Sequence, residues 1–458
     1  MQPDWLKSIL SGSTADPDLM TRSFPWAARM IGCPHDPIHH AEGDPWTHTM
    51  MVAEALERGD GFEALPPERQ DLLRLTAWFH DVAKPQTTEI VWEPFLNEDG
   101  SPSRSFEDQQ RLSAWLSEME KHQPRQVGWD DAEEEPSHLS LRADGRERVT
   151  QHHHAAQGAM MAWRGLIDAG CDAQMARDVF TMTFWHQRPS HMLGNTSNDR
   201  KIIQLSVDAG QGNWDDLIRF CEADQRGRMS QNRDQVLEDL ALARLLVAEA
   251  GENIGADLLN NPWPFANPES RLKYLRGKGG DLPFHASEHA AGSRVIMMSG
   301  LPGSGKDTFL EQNFARWPIV SMDKIREEMG VSPTDNQGKV HQETYNQIKA
   351  LLRTGEAFAV NSTSLTRVMR QKLSGTILDY DGYIEAYSID VPFSVARQRN
   401  SSRENPVPDD VLVKLANKRE PILSNEAHEL YSVDEHMNLT KMFGHEPDVD
   451  VTWSPAPS

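Results

Sequence analysis

The chain has 458 residues and a formal net charge of −23. This length exceeds what one hydrophobic core comfortably organises, so we expect two domains. The acidic charge argues against a large nucleic-acid footprint, because tight non-specific binders carry a basic face; a bound polynucleotide would be held only by its end. Three scattered cysteines, no secretory signal and no apolar stretch of roughly 18 residues predict a soluble, cytoplasmic protein without a membrane partner.

Residues 1–258 are predicted to form a mainly helical domain with an acidic surface insertion at about 91–141. Asp44 followed by Pro45 is typical of a helix start, because Asp caps free N–H groups and proline suits the first turn. A second, apolar helix is expected to end at Pro85, since proline cannot continue the hydrogen-bond ladder.

The second half of the chain alternates predicted strands with predicted helices. A turn-rich stretch at 259–291 is interpreted as a linker, and 292–458 as an α/β domain with a parallel sheet. The tail after Glu446 is expected to be frayed. The predicted strands are Val295–Met298, Pro318–Ser321, Phe358–Val360 and Tyr383–Ile389.

A histidine followed by an aspartate, His80-Asp81, lies in an apolar stretch of the second predicted helix. Burying such a pair is costly unless the side chains are paired or bind a metal. Such dipeptides also occur by chance, as His35-Asp36 in a proline-flanked loop illustrates. Imidazoles and carboxylates from other helices could converge on the pair and bind a divalent metal such as Mn, Fe, Co, Ni or Zn. These further candidates are His48, His154, His186 and Asp224.

A glycine-rich loop follows the first strand of the second half and precedes a helix. Its backbone N–H groups can surround a phosphate, and its lysine can reach the β- and γ-phosphates of ATP. The position after the lysine is usually a Ser or Thr that contacts Mg²⁺, but here it is Asp307. Either Asp307 meets the metal through water or Thr308 supplies a compensating hydroxyl. The predicted nucleotide-binding residues are Gly300, Gly303, Ser304, Gly305, Lys306, Asp307 and Thr308.

Asp323 follows the second predicted strand, at the edge of a parallel sheet where substrates bind. Its carboxylate could accept the proton of an attacking hydroxyl, and Arg326 could hold a phosphate of the acceptor. A helix-capping role is the alternative for Asp323, and the two roles are compatible. Arg399 and Arg403 suit a lid over the transferring phosphoryl group.

Residues 40–230, with their order of histidines and aspartates, resemble the HD-domain metal phosphohydrolases, which implies an all-α fold for the first domain. The resemblance implies that Asp81 bridges two metals and that a metal-bound hydroxide attacks a phosphoester. Lys84 would hold a phosphate oxygen, and Arg228 stands in the same relation to Asp224 as Lys84 to His80. One metal would be bound by His48, His80, Asp81 and Asp224, and the second by Asp81, His154 and His186.

Residues 292–425 resemble the polynucleotide kinase branch of the P-loop phosphotransferases. By this resemblance Lys306 binds the β- and γ-phosphates of ATP, with Mg²⁺ as the second cofactor. Asp323 would be the general base on a 5′-hydroxyl, and Arg326 would bind the adjacent nucleotide phosphate. Arg399, with Arg403, would stabilise the transition state.

The two resemblances together imply a bifunctional protein that heals RNA or DNA ends. The first domain would remove a 2′,3′-cyclic, 2′ or 3′ phosphate, and the second would phosphorylate a 5′-hydroxyl. The chain has no obvious ligase motif, so a separate ligase would act downstream. Two alternatives remain open. One is a small-molecule nucleotidase fused to a nucleoside-type kinase, and the other is an ATP-switched regulator of the first domain.

Overall fold

The computed structural model describes residues 2–11, 16–94, 141–142, 145–192, 202–205, 213–277, 291–332 and 335–443. The chain divides into two compact units, Met1–Trp263 and Pro264–Ser458. Most of the predicted acidic insertion and the whole tail after Glu446 lie outside the described residues. None of the helices in the described ranges combines the length and apolar character that crossing a bilayer requires.

The first unit is mainly helical, as the sequence predicts. Its helices are α1 (Asp4–Leu10), α2 (Pro17–Ser23), α3 (Ala27–Met30), α4 (Pro45–Glu57), α5 (Pro67–Phe79), α6 (Lys84–Thr87), α7 (His154–Asp168), α8 (Ala173–Trp185), α9 (Trp214–Arg226) and α10 (Arg233–Glu252).

The predicted helix start at Asp44 is confirmed, because its carboxylate accepts a hydrogen bond from Thr47 N at 2.7 Å and Pro45 occupies the first turn. The prediction that Pro85 ends a helix is wrong. Helix α5 already ends at Phe79, and Pro85 lies in the first turn of the short α6, where its missing N–H costs nothing.

The prediction that the first domain is all-α is also wrong. It contains a three-stranded antiparallel sheet in the order β1-β3-β2, with strands β1 (Thr88–Pro94), β2 (Leu141–Arg142) and β3 (Gly145–Gln151). The pairing of β1 with β3 joins segments on either side of the acidic stretch, so sequence periodicity near either segment does not indicate it. Arg146 on β3 connects the sheet to the loop between α3 and α4, because its Nη1 donates a hydrogen bond to Asp36 Oδ2 at 2.9 Å.

Aromatic side chains form much of the core of the first unit. Phe24 is in edge or tilted contact with five rings from α1, α3, α4 and α5 or their flanking residues, at centroid separations of 5.1–6.2 Å. Such contacts add to the free energy gained by burying the rings. The rings are those of Trp5, Trp26, Trp46, Trp78 and Phe79.

The second unit is an α/β domain built on a six-stranded sheet in the order β5-β6-β4-β7-β8-β9. Its strands are β4 (Arg294–Ser299), β5 (Ile319–Ser321), β6 (Phe358–Asn361), β7 (Tyr383–Ile389), β8 (Glu429–Val433) and β9 (Leu439–Phe443). Its helices are α11 (Pro268–Leu275), α12 (Lys306–Asn313), α13 (Met322–Glu328), α14 (Gly338–Thr354), α15 (Arg367–Leu378), α16 (Phe393–Ser401) and α17 (Asp409–Asn417).

The four predicted strands are present, but the sheet is mixed rather than parallel. Strands β5, β6, β4, β7 and β8 are parallel, whereas β9 pairs antiparallel with β8. The turn between β8 and β9 begins at Asp434, which accepts hydrogen bonds from the N–H groups of His436 and Asn438, both at 2.8 Å. This tight turn returns the chain antiparallel, where a crossover helix would have kept it parallel.

The central strand β4 is buried on both faces, which explains its uninterrupted apolar sequence. Val295 and Met297 belong to one hydrophobic cluster, and Ile296 and Met298 to the other. Helix α11 lies in the segment interpreted as a linker, 259–291, and belongs to the second unit. It attaches there because Arg271 donates hydrogen bonds to the backbone carbonyls of Ala427 and His428.

A fully buried ion pair joins α15 to the segment before β8. Arg370 donates to both carboxylate oxygens of Glu426, at 2.8 and 3.1 Å, and neither side chain is exposed. It also donates to the carbonyls of Ser364, Glu420 and Pro421. Removing one partner of such a pair leaves a buried charge without compensation.

We therefore expect Arg370→Met to destabilise the second unit by about 3–5 kcal/mol. The exposed Arg353→Met on α14 is the control and should change the free energy of unfolding by less than about 0.5 kcal/mol. Urea unfolding of the full chain measures both. Addition of ATP identifies the transition of the second unit, since a ligand shifts only the unit that binds it. Equal shifts for the two variants would contradict the expectation.

Candidate active sites

Six buried side chains converge in the first unit, and we call them the histidine–aspartate cluster. They are His48, His80, Asp81, His154, His186 and Asp224. Ligand atoms of His48, His80 and Asp224 lie within 4.8 Å of one another, and so do those of Asp81, His154 and His186. The structure thus brings together all six residues that the sequence suggested as metal ligands.

Five helices or helix ends position the cluster. His48 lies on α4 and Asp224 on α9, whereas His154 is the first residue of α7. His80 and His186 directly follow α5 and α8. The sequence had suggested that His80 lies within a helix. In the structure it lies just after the end of α5. Side chains at helix ends can point away from the helix surface, which helps several helices reach one point.

Asp81 lies between the two groups of ligands. Its Oδ2 is 3.2 Å from His80 Nε2 and 3.6 Å from His48 Nε2, and its Oδ1 is 3.5 Å from His154 Nε2. One carboxylate oxygen thus faces each group. This is the arrangement in which a carboxylate can bridge two cations.

Three of the four histidines are oriented in the same way by their own backbone. The Nδ1 of each lies within hydrogen-bond distance of the carbonyl three residues earlier. The pairs are His80 with Ala77 (2.8 Å), His154 with Gln151 (2.7 Å) and His186 with Thr183 (2.7 Å). Because a carbonyl only accepts, Nδ1 carries the proton, and the lone pair on Nε2 is directed into the cluster.

Unsatisfied polar atoms in the cluster fit a missing cation. His80 Nε2 and both carboxylate oxygens of Asp81 are buried and have no hydrogen-bond partner within the described part of the chain, although Asp81 Oδ2 forms an ion pair with Lys84. Burying polar atoms without hydrogen bonds is costly. Imidazole nitrogens and carboxylate oxygens suit divalent transition metals, so the six residues fit such ions in chemistry as well as in position.

The pKa shifts of His154, His186 and Asp81 favour the protonation states of metal ligands. Burial lowers the pKa of His154 to about 4 and that of His186 to about 3, so both imidazoles are neutral at pH 7. Burial alone would raise the pKa of Asp81, but the nearby His80 and Lys84 hold it well below its ordinary value. Neutral histidine and ionised carboxylate are the forms that bind metal.

Two cationic side chains border the cluster. Lys84 is buried, and its Nζ lies 2.7 Å from Asp81 Oδ2. Arg228 donates from Nη2 to both oxygens of Asp224, at 2.8 and 2.7 Å, although it lies beyond the end of α9. Arg228 is thus next to Asp224, with which the sequence associated it, whereas Lys84, which the sequence associated with His80, is next to Asp81.

A third group of possible ligands was missed by the sequence analysis. Ligand atoms of His35, His40 and Glu42 lie within 4.8 Å of one another, and all three residues are buried. The sequence analysis treated His35 as a chance neighbour of Asp36. The density of histidines just before His48 is the signal that could have revealed this group.

The glycine-rich loop of the second unit has the conformation of a phosphate-binding loop. It connects the carboxyl end of β4 to the start of α12 at Lys306. Gly303 and Gly305 adopt positive φ angles of 78° and 112°, which favour glycine. Gly300 N donates to Thr363 O at 3.0 Å, so the start of the loop is fixed to the segment after β6.

The lysine of this loop is held close to its backbone. Lys306 Nζ donates to the carbonyls of Gly300 and Leu301, both at 2.9 Å. Burial lowers its pKa to about 8, against the opposing effects of Asp307 and Asp323. The exposed carboxylate of Asp307 accepts a hydrogen bond from Asn361 at the end of β6.

The remaining predicted kinase residues surround this loop. Asp323 is on α13, but Ser321 caps that helix, so capping does not occupy the Asp323 carboxylate. Asp323 forms an ion pair with Arg326. Arg399 donates to the carbonyl of Ser304 at 3.1 Å. The positive charge of Arg403 adds a small contribution to the lowered pKa of Lys306.

Comparison with known proteins agrees with this geometry. A family model for the AAA domain matches residues 295–422. The second unit has a P-loop kinase-like fold. A glycine-rich loop that leads into the N-terminus of a helix is consistent with the use of ATP and Mg²⁺. No match was found among curated proteins.

Two solved structures are similar to this part of the chain. A gluconokinase from Sinorhizobium meliloti 1021 is 20% identical, with a TM-score of 0.24, over 32% of this chain and 84% of that one. An unliganded sugar kinase from Janibacter sp. HTCC2649 is 19% identical, with a TM-score of 0.26, over 32% of this chain and 87% of that one.

The conformation of the phosphate-binding loop leaves no room for a methyl group at residue 303. A Cβ at residue 303 would lie 2.8 Å from the backbone N of Asn400, at a positive φ. Gly303→Ala should therefore distort the loop and weaken ATP binding roughly tenfold or more, as measured by calorimetric titration. Gly375→Ala on α15 is the control, because its methyl group would meet no atom within 4 Å. Unchanged ATP affinity in the residue 303 variant would contradict the assigned role of the loop.

Proposed function

We propose that the chain is a bifunctional enzyme that heals RNA or DNA ends. The first unit, as an HD-domain metal phosphohydrolase, would remove a terminal 2′,3′-cyclic, 2′ or 3′ phosphate. The second would phosphorylate a 5′-hydroxyl with ATP. The observation that carries the proposal is the Asp81 carboxylate between two groups of buried histidines in one unit, alongside a kinase-like loop in the other.

The histidine–aspartate cluster would hold two divalent ions of Mn, Ni, Co, Fe or Zn. His48, His80 and Asp224 would bind one, His154 and His186 the other, and Asp81 both. Such ions supply Lewis acidity and an activated water when bound. A two-ion site with an oxygen bridge is suited to phosphoester hydrolysis, and the ligand set supports this assignment over a purely structural role.

The cations beside the cluster would bind the substrate phosphate. Lys84 and Arg228 each contact a carboxylate of the cluster, at 2.7 Å. A phosphate reaching the cluster would therefore meet an ammonium on one side and a guanidinium on the other. An ammonium and a guanidinium at these positions would offset the negative charge that develops on the phosphate oxygens and so stabilise the transition state.

In the second unit, the phosphate-binding loop and Mg²⁺ would hold ATP, with Lys306 at the β- and γ-phosphates. Asp323 would accept the proton of the attacking 5′-hydroxyl, and Arg326 would bind the neighbouring nucleotide phosphate. Arg399 and Arg403 would stabilise the transferring phosphoryl group. The ion pair of Asp323 with Arg326 supports these roles, because it places the proposed base next to the proposed acceptor-binding residue.

The two reactions are complementary. Cleavage of RNA by transesterification leaves a cyclic phosphate on one fragment and a 5′-hydroxyl on the other, and neither end can be ligated. Removing the first phosphate and adding a 5′-phosphate makes both ends competent, and a separate ligase would then join them. Binding only the ends of a polynucleotide is compatible with the net charge of −23.

A second candidate function is small-molecule chemistry, which the net charge of −23 favours because mononucleotides need no extended basic surface. The first unit would then be a nucleotidase and the second a kinase of a nucleoside-type alcohol. Competition between a 5′-hydroxyl oligonucleotide and a matching nucleoside distinguishes the two. A strong preference for the nucleoside would favour the second candidate.

Separation-of-function variants test the two-site proposal. Asp81→Asn should reduce release of terminal phosphate about 100-fold or more, because it removes the bridging charge, and should leave 5′ phosphorylation unchanged. Lys306→Ala and Asp323→Asn should do the reverse. Each activity is measured on an oligonucleotide with only one reactive end. Loss of both activities in a variant that remains folded by circular dichroism would contradict two independent sites.

A further inference from the structure

His48 is the one histidine of the cluster that its own backbone does not orient. Its Nδ1 lies 2.9 Å from Glu42 Oε1, whereas Nε2 lies 2.9 Å from Asp224 Oδ1. The other three histidines place Nδ1 on a carbonyl three residues earlier. Glu42 therefore stands where those carbonyls stand, and a carboxylate, like a carbonyl, can only accept.

The same carboxylate oxygen also contacts His40. Glu42 Oε1 is 2.9 Å from His40 Nδ1, and His40 Nε2 is 3.3 Å from Lys84 Nζ. An ammonium only donates, so His40 Nε2 is the acceptor and Nδ1 carries the proton that is donated to Glu42. Glu42 Oε1 thus lies 2.9 Å from a ring nitrogen of both His40 and His48. The hydrogen bonds from Lys84 through His40 to Glu42 have one consistent assignment of donors and acceptors.

We propose that Glu42 and His40 are positioning residues for the histidine–aspartate cluster. Glu42 fixes the Nδ1–H form of His48, so that Nε2 is available to the first group of metal ligands. It also fixes the Nδ1–H form of His40, whose Nε2 holds Lys84 beside Asp81. This inference rests on the proposed metal-binding function of the cluster and deepens it.

The neighbouring contacts support positioning over binding of a third ion by His35, His40 and Glu42. Both ring nitrogens of His40 are already engaged, and Glu42 Oε2 accepts a hydrogen bond from Met229 N at 2.9 Å. The rings of His35 and His40 are in tilted contact, with centroids 4.0 Å apart and an angle of 30° between them.

Glu42→Gln tests the carboxylate with little change of shape. A glutamine amide has one accepting oxygen, and its NH₂ group would oppose the N–H of one histidine. His48 then loses its fixed tautomer, and a proton on Nε2 competes with the metal. We expect affinity for the first ion to fall about 10–100-fold, and affinity for the second to change less.

His40→Ala separates the two effects. It removes His40 Nε2, one of the two partners of Lys84 Nζ, but leaves the ion pair with Asp81 and the contact between Glu42 and His48. Affinity for both ions should therefore remain within about twofold, while kcat for phosphate release falls about tenfold, through the misplaced ammonium. If His40 had only a structural role, His40→Ala would lower thermal stability. It would not lower kcat while leaving the metal affinity unchanged.

The experiment titrates the chelator-treated full chain with Mn²⁺ in competition with a chromogenic chelator, and counts bound ions by mass spectrometry. Asp216→Asn is the matched control. Asp216 is a fully buried carboxylate of the same unit, bound by Arg69 at 2.6 and 2.8 Å, outside the cluster. The Asp216→Asn substitution should lower the free energy of unfolding and leave the affinity for Mn²⁺ unchanged. The 5′ phosphorylation activity of each preparation checks the second unit.

The expected result is two ions in the wild type, with weakened binding of one in Glu42→Gln alone. Wild-type affinity in that variant, or three ions in the wild type with one lost on this substitution, would overturn the positioning role. Two ions in a wild type that releases no terminal phosphate would contradict the proposed reaction and leave the positioning role standing. A wild type that binds no metal would overturn both.

Discussion

The buried carboxylate of Asp81 is the constraint on which the first unit depends. A charge removed from water needs compensation, and its immediate surroundings provide histidine nitrogens and one ammonium but no hydrogen bond. Five helices or helix ends contribute side chains to this point, so packing of the unit and assembly of the site are the same event. This links the aromatic core around Phe24 to the chemistry, because α4 and α5 contribute to both.

The second unit depends on a different interaction, in which the backbone N–H groups of the glycine-rich loop can bind a phosphate. Its central strand is buried on both faces, which fixes where the phosphate-binding loop begins. Glycines at 303 and 305 allow the loop its conformation, and Lys306 is held by loop carbonyls that a phosphate could replace as partners. The buried strand β4 holds the loop in place, and the contacts of Lys306 with loop carbonyls can be exchanged for contacts with a phosphate. This combination suits a site that binds and releases nucleotide.

The sequence predicts the role of a residue where a short local pattern is enough to indicate it. Asp44 with Pro45 predicts a helix start, and the glycines before Lys306 predict a loop between strand and helix. The antiparallel sheet β1–β3 was not predicted, because its partners are separated by the acidic stretch. The contacts of Glu42 with His40 and His48 could not be predicted either. They depend on tertiary positions, and a single glutamate in a loop has no periodicity to reveal it.

The most direct test of end healing uses one RNA oligonucleotide with a 5′-hydroxyl and a 2′,3′-cyclic phosphate. It is incubated with the full chain, ATP, Mg²⁺ and each transition metal in turn, and both termini are read by mass spectrometry. End healing predicts the gain of a 5′-phosphate and the loss of the terminal phosphate on the same molecule. An oligonucleotide unchanged at both ends, under conditions where the chain consumes ATP or dephosphorylates mononucleotides, would contradict it.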